Sequence, residues 1–400
     1  MSELILAAAA TADDSLLTVL PTADERCMCL VFAPGAATAT AQTVLPICGG
    51  VTNFVSAAAV GPNFVVFGED PDAAPRLHAV VIDGNSGDVL SSWMIPTGDY
   101  PSVIQVFACD GGFAAIWQEL STAGSMADMW VALIDTAAGT QTRTLIVEHV
   151  DWGSSAERWV GGPETFGAIG NRAADHPRST SLVTCVWTIV VRDGSCQVSE
   201  CAVPDRHTGR VPNPAVATID KPGTMSLVWT EQHSETSSLI ATADVDLEQS
   251  RCVNVQRSGR VVINPTIIEA FAVDGQGVCM IGGHAQVDRC VAQTYVVRDG
   301  RWSEWSGALV RCDQGLRVTR LSDGRPLMVW NDGLTIRSSE WGHGMWTDAD
   351  EHGDFTAHAA FEPVPLRSGW ALVAVPASAG AGVAQTPRAT VTWMGCDRPD

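Results

Sequence analysis

An all-β chain built as a β-propeller of about eight four-stranded blades, with seven as the alternative, is what the sequence predicts. Two observations carry this. Apolar strand-like runs recur along the whole chain: CMCLVFAP, NFVVFGED, GFAAIWQE, TFGAIGNR, MSLVWTEQ, GVCMIGGH, PLMVWNDG and WALVAVPA. Their reference residues Phe32, Phe67, Trp117, Ile169, Trp229, Ile281, Trp330 and Val375 are ~49 residues apart on average, in steps of 35 to 60, within the spacing of propeller blades. The second observation is that no amphipathic helical pattern interrupts the series.

The other strands of the unit fall into place around these runs. Before each comes a strand such as LLTVLP, FVSAAAV, PSVIQVF, ERWVGG, PAVATI, PTIIEAF, LRVTRL or AHAAFEP. Proline opens three of them, at Pro101, Pro214 and Pro265, where no ladder donor is needed. After each comes a third strand. VVIDG at 80–84 and VVRDG at 190–194 and 296–300 place Asp-Gly behind a β-branched run, a tight-hairpin signal because that turn needs positive φ. The fourth strand follows as DVLSSW, TQTRTLIV, CQVSECAV, RCVNVQ or RWSEWS. The blades are expected at 10–48, 49–98, 99–150, 151–205, 206–258, 259–308, 309–352 and 353–400, all in one domain spanning 1–400. The last blade is short of a strand, so residues 3–10 are expected to join it and close the ring, which would remove an exposed edge.

Composition narrows the function classes. The 400 residues are 46% apolar and 17% charged, which buries a core and argues against disorder. A formal net charge of −21 repels phosphate backbones and excludes nucleic acid as the expected partner. Lys221 is the one lysine, a bias matching a GC-rich coding source. No apolar run approaches the ~18 residues of a membrane span. The N-terminal apolar run has Glu3 where a signal peptide needs positive charge. A soluble protein without a classical signal is therefore expected.

The twelve cysteines contain no CxxC pair, so zinc spacing is absent. Cys27, Cys29, Cys185 and Cys279 lie in apolar strands, where a thiol acts as a small hydrophobe. Cys196 and Cys201 are the pair to examine first for a bridge.

The repeats resemble β-propellers with sialidase-like or lectin-like blades, at the level of architecture. SSEWGHGMW is similar to the sialidase Asp-box, with Ser338, Glu340, Gly342 and Trp346 in its positions, Glu replacing Asp, and one added residue. The longer segment LTIRSSEWGHGMW also resembles a blade of fucose-binding propeller lectins. The resemblance implies a structural turn and a glycan platform: Trp341, His343 and Trp346, with Trp302 and Trp305 of WSEWS as further ligand-binding candidates. Packing within the blades is the competing reading of these indoles. The tyrosine–glutamate pair and arginine set of sialidase chemistry find no counterpart, and only Tyr100 and Tyr295 exist.

Other chemistry is thinner. DADEHGD offers Asp348, Asp350, Glu351 and Asp354 as oxygen ligands, with calcium the candidate cofactor and a solvated acidic turn the alternative. His284 and His358 fall on or near inner strands. No Gly-x-Ser-x-Gly elbow occurs. The expectation is a non-catalytic binding or assembly module with protein partners, in concrete form a phage virion accessory subunit of tail, fibre or capsid. A lectin-type propeller binding surface glycans is the alternative, and a glycoside hydrolase with carboxylates at the channel mouth is the second.

Overall fold

The computed structural model describes residues 5–48, 54–70, 72, 76–120, 126–151, 159–161, 164–173, 182–203, 216–221, 224–234, 237–247, 249, 251–262, 266–273, 277–286, 289–298, 301–311, 316–332, 335–342, 345–354, 360–375 and 389–394. In chain order the strands are β1 (Ala7–Ala10), β2 (Leu16–Pro21), β3 (Arg26–Phe32), β4 (Ala41–Cys48), β5 (Ser56–Val60), β6 (Asn63–Glu69), β7 (Arg76–Asp83) and β8 (Val89–Pro96). There follow β9 (Ser102–Cys109), β10 (Gly112–Leu120), β11 (Met126–Asp135), β12 (Thr140–Asp151), β13 (Val160–Gly161), β14 (Thr165–Ala173), β15 (Leu182–Arg192) and β16 (Ser195–Ala202). The third group is β17 (Val216–Lys221), β18 (Thr224–Ser234), β19 (Ser237–Asp246), β20 (Arg251–Val262), β21 (Thr266–Val273), β22 (Gly277–Gln286), β23 (Arg289–Arg298) and β24 (Arg301–Arg311). The last is β25 (Leu316–Arg320), β26 (Pro326–Asn331), β27 (Thr335–Gly342), β28 (Met345–Trp346), β29 (Asp350–Asp354), β30 (Ala360–Leu366), β31 (Gly369–Val375) and β32 (Thr390–Met394). Among the described residues there is no helix, and so none long and apolar enough to cross a membrane.

The fold is an all-β propeller. Its sheets are antiparallel meanders: β1–β4, β5–β8, β17–β20 and β21–β24 each form a four-stranded sheet in chain order. The chain divides into two compact units, one of residues 1–119, 134–141 and 314–400, the other of residues 120–133 and 142–313.

In the first unit the alternation of side chains explains why the strands read as unbroken apolar runs. Leu17 and Val19 of β2 and Cys27, Cys29 and Val31 of β3 share a core with Phe64, Val66, Val80 and Ile82 of the next sheet. Their neighbours Leu16, Leu20, Met28, Leu30 and Phe32 pack instead on Val364, Leu366, Ala371, Val373 and Val375 of β30 and β31. One sheet is thus buried on both faces, by its successor and by the last sheet of the chain. Trp370, Leu372 and Ala374, on the opposite face of β31, pack on Leu327, Val329 and Ile336 of β26 and β27. Each fully buried Leu, Val or Phe is worth ~1.5–3 kcal/mol, so neither face of a sheet can be left bare. Cys27 and Cys29 are buried free thiols, as expected, and burial pushes the Cys29 thiol well above its ordinary value.

The N-terminal strand corrects one expectation. Residues 7–10 do not join the last sheet. β1 pairs with β2, Ala7 opposite Val19 and Ala10 opposite Leu16. The cause is local: Thr11 N donates to Ser15 O at 2.9 Å, Asp14 N donates to Thr11 O at 3.1 Å, and Asp14 takes φ of 62°. This turn folds the alanine strand onto its successor. LLTVLP is consequently the second strand of its sheet and CMCLVF the third, one place later than the repeat alignment puts them. The last sheet keeps three strands among the described residues, in the order β30-β31-β32.

Of the three expected Asp-Gly turns, the one at 299–300 lies outside the described residues and the other two differ. At 193–194 both residues have positive φ, 51° and 70°, and Arg192 pairs with Ser195, the two-residue hairpin expected. At 83–84 the loop is longer. Asp83 Oδ1 instead accepts from Asn85 N at 2.9 Å and Ser86 N at 2.7 Å, and this double acceptance holds the carboxyl below its ordinary value.

Candidate functional site

The segment carrying the expected glycan and metal sites folds as β25–β29. Its third strand β27 is the organising element. β26 pairs along one edge, Trp330 opposite Arg337 and Leu327 opposite Glu340. β29 pairs along part of the other, with Ser338 opposite Asp350. Within SSEWGHGMW, β27 and β28 pair antiparallel, and Trp341 lies opposite Trp346. The two indoles pack edge to face with centroids 5.3 Å apart.

Both indoles are buried, Trp341 at 2% and Trp346 at 7% exposure. A sugar-stacking platform needs an open ring face, so this conformation presents a packed pair and not the expected platform. His343 lies outside the described residues. Trp302 and Trp305 lie on β24, opposite Val297 and Thr294; their side chains are outside the description. Trp117 and Trp330, reference residues of the repeat, are buried, at 0% and 6% exposure.

Two ionic rungs cross the surface here. Arg325 Nε lies 2.6 Å from Asp323 Oδ2 and its Nη1 lies 2.6 Å from Glu340 Oε2. Hydrogen bonding to Asp323 comes first among the causes that raise the guanidinium above its ordinary value. Arg337 Nε donates to Asp332 Oδ2 at 2.6 Å, and its Nη2 lies 2.6 Å from Glu351 Oε1. Glu340, at the Asp-box position, is therefore an arginine partner. Glu351, one of the four oxygen donors of DADEHGD, is taken the same way. Asp348 and Asp350 are exposed, and Asp354 ends β29 with its side chain outside the description. Among the described residues no group of three or more His, Cys, Asp or Glu is placed to hold a metal ion.

A serine–histidine pair that sequence reading missed lies behind these rungs. Ser338 Oγ is 2.6 Å from His352 Nε2, and the imidazole packs edge to face on Trp370 at 5.3 Å. Ser338 is 3% exposed. Burial holds His352 below its ordinary pKa, with the Asp350 charge opposing. Ser338 is buried and His352 half-buried, and the imidazole ties this sheet to Trp370 of β31 by an aromatic contact. The pair's only sequence signal is the fourteen-residue separation across a hairpin.

The exposed large side chains lie elsewhere. Phe54 and Tyr100 are 64% and 74% exposed. Each stands two residues ahead of the first strand of a sheet, β5 and β9. Those strands lie side by side, with Val106 N donating to Ser56 Oγ at 3.0 Å. Val89, Leu90 and Met94 on β8 and Val44 on β4 are also exposed, at 47–54%. None of these residues was singled out for binding in the sequence. The signal available was an aromatic residue two places before an alternating strand.

No protein-family model matches the chain, and no curated protein does. Solved structures resemble it weakly. The β-propeller domain of the Trilobed protease from Pyrococcus furiosus is 9% identical, covering 87% of this chain and 98% of that one, with a TM-score of 0.47. Puromycin hydrolase is 12% identical over 81% of this chain and 50% of its own, with a TM-score of 0.47. This chain thus spans about half of that hydrolase. A subtype N10 neuraminidase-like protein of A/little yellow-shouldered bat/Guatemala is 9% identical over 70% of this chain and 90% of its own, with a TM-score of 0.39. The expectation that the chain is not an enzyme is corrected by this set, which includes the propeller domain of a protease and a hydrolase. Similarity of this order reports the fold alone, and the fold is a β-propeller.

Proposed function

We propose that this chain is a propeller binding module that docks a protein partner on the loops leading into β5 and β9. The observation that carries the reading is the exposure of Phe54 and Tyr100, 64% and 74%, at equivalent places in neighbouring sheets. Aromatic side chains offer large contact area with little entropy to lose, and they anchor interfaces. The net charge of −21 favours a partner with a basic surface. In its narrower form the partner is another subunit of a phage particle, a reading supported by the acidity and the coding bias of the chain. The glycan alternative no longer has Trp341 and Trp346 as its support and becomes an outcome of the test.

The test is affinity capture from the native source, with wild-type chain and the Phe54→Ala/Tyr100→Ala variant side by side. Equal unfolding midpoints serve as the control. A protein recovered by wild type about tenfold better than by the variant supports the reading. Equal recovery of every bound protein, or binding on a glycan array alone, overturns it.

A further inference from the structure

We propose that Cys201 and Cys252 are a redox-active dithiol that closes into a disulfide, stapling the outer strands of two successive sheets in the second unit. Their sulfurs are 3.4 Å apart in the free-thiol form. A disulfide needs ~2.05 Å, so small side-chain rotations bring the sulfurs together.

The placement follows from strand register. Cys201 on β16 lies opposite Val186 of β15, and Cys252 on β20 lies opposite Val245 of β19. Val186 and Val245 belong to one apolar core with Ile169, Val203, Met225 and Leu227, and both cysteines pack at its margin. The core holds the two outer strands in position. Both thiols are partly exposed, so a small disulfide can reach them.

The other nearby cysteines are kept out of the pair. Cys185 lies opposite Ala202, on the alternate face of the sheet. It is fully buried, with Glu200 Oε1 at 3.6 Å, and burial pushes its thiol up to about 12. Cys196 sits five residues before Cys201 on the same strand, which puts it on the opposite face and ~16 Å away. A Cys196–Cys201 bridge, the first one to examine from the sequence, is geometrically excluded. Within the proposed pair, the hydrogen bond from the partner thiol holds Cys201 below its ordinary value, while Cys252 is raised. The lowered thiol is the one suited to attack.

The chemistry balances with an oxidised low-molecular-weight disulfide as co-reactant. Cys201 thiolate attacks one sulfur of glutathione disulfide, forming a mixed disulfide and releasing one glutathione thiolate. Cys252, losing its proton to water, attacks Cys201 Sγ and displaces the second glutathione. Two protein thiols are oxidised, and one small disulfide is reduced to two thiols. The bridge spans 51 positions and encloses β17, β18 and β19. Restricting an unfolded loop of that length raises the unfolding midpoint by ~3–6 °C.

The test uses the full chain. It is equilibrated with reduced or oxidised glutathione, its free thiols are capped with N-ethylmaleimide under denaturing conditions, and it is mapped by mass spectrometry. The expected result is a Cys201–Cys252 linked peptide in the oxidised sample alone, with a higher midpoint. In Cys252→Ser, Cys201 is expected to retain glutathione. The proposal is overturned if both residues are capped after oxidation, if each carries its own glutathione, or if either is found bridged to another cysteine.

Discussion

Asp14 and Arg367 join the beginning of the chain to its end. The Arg367 backbone N–H donates to Asp14 Oδ1 at 2.6 Å, and the neighbouring Ser368 hydroxyl donates to Oδ2 at 2.6 Å. The carboxylate projects from the β1–β2 turn and caps the β30–β31 turn. Trp393 Nε1 adds a bond to Ala36 O at 2.9 Å. The first and last sheets therefore meet through turn-to-turn hydrogen bonds above the Phe32–Val373 core, without exchanging a strand.

Removing that carboxylate tests the contact. Asp14→Ala should lower stability by about 1 kcal/mol, because the site is exposed and water replaces part of what is lost. Phe32→Ala, in the core beneath, should cost ~3–5 kcal/mol. Urea midpoints with unchanged slope measure both. Equal losses for the two variants would contradict this ranking.

Gly194 is the hairpin position that cannot accept a branched residue. Its φ of 70° is strained for any L side chain, yet a Cβ there meets no atom within 4 Å. Gly194→Val should cost ~1–2 kcal/mol through the backbone alone. Gly194→Asn should cost less than half of that, since Asn tolerates this region. Thermal midpoints of the two variants decide it, and a Val variant as stable as wild type would count against the turn.

His352 should make the first unit sensitive to acid. Its folded pKa is depressed by burial, so the unfolded chain binds the proton more readily. The stability it contributes is full above the ordinary imidazole value and is lost as pH falls through the folded value. His352→Gln should flatten the fall in stability below about pH 6.5. Chemical denaturation across that window, in both proteins, gives the comparison; parallel curves would show that His352 is not the group responsible.

Much of the architecture was legible because a sheet buried on both faces writes a continuous apolar run. NFVVFGE and WALVAV announce themselves that way, and VVRDG at 190–194 announces its turn. The alanine strand Ala7–Ala10 did not, since it has no branched residue and owes its pairing to the Thr11–Ser15 turn. The site was less legible. Tryptophan serves packing and recognition equally well, and only the fold shows Trp341 and Trp346 turned inward. Cys196 and Cys201 are close in sequence, and strand periodicity puts them on opposite faces. The Cys201–Cys252 approach joins different sheets, so no local pattern marks it.

The most direct measurement of the binding account is photo-crosslinking. A benzophenone amino acid is placed at Phe54, and in a control chain at Asp323, exposed at 49% on a turn of the β25–β29 sheet. Both chains are irradiated in an extract of the native source. The account predicts one discrete protein adduct at position 54 that is absent at position 323. Adducts of the same size and yield at both positions, or none at 54 with a folded chain, would contradict it.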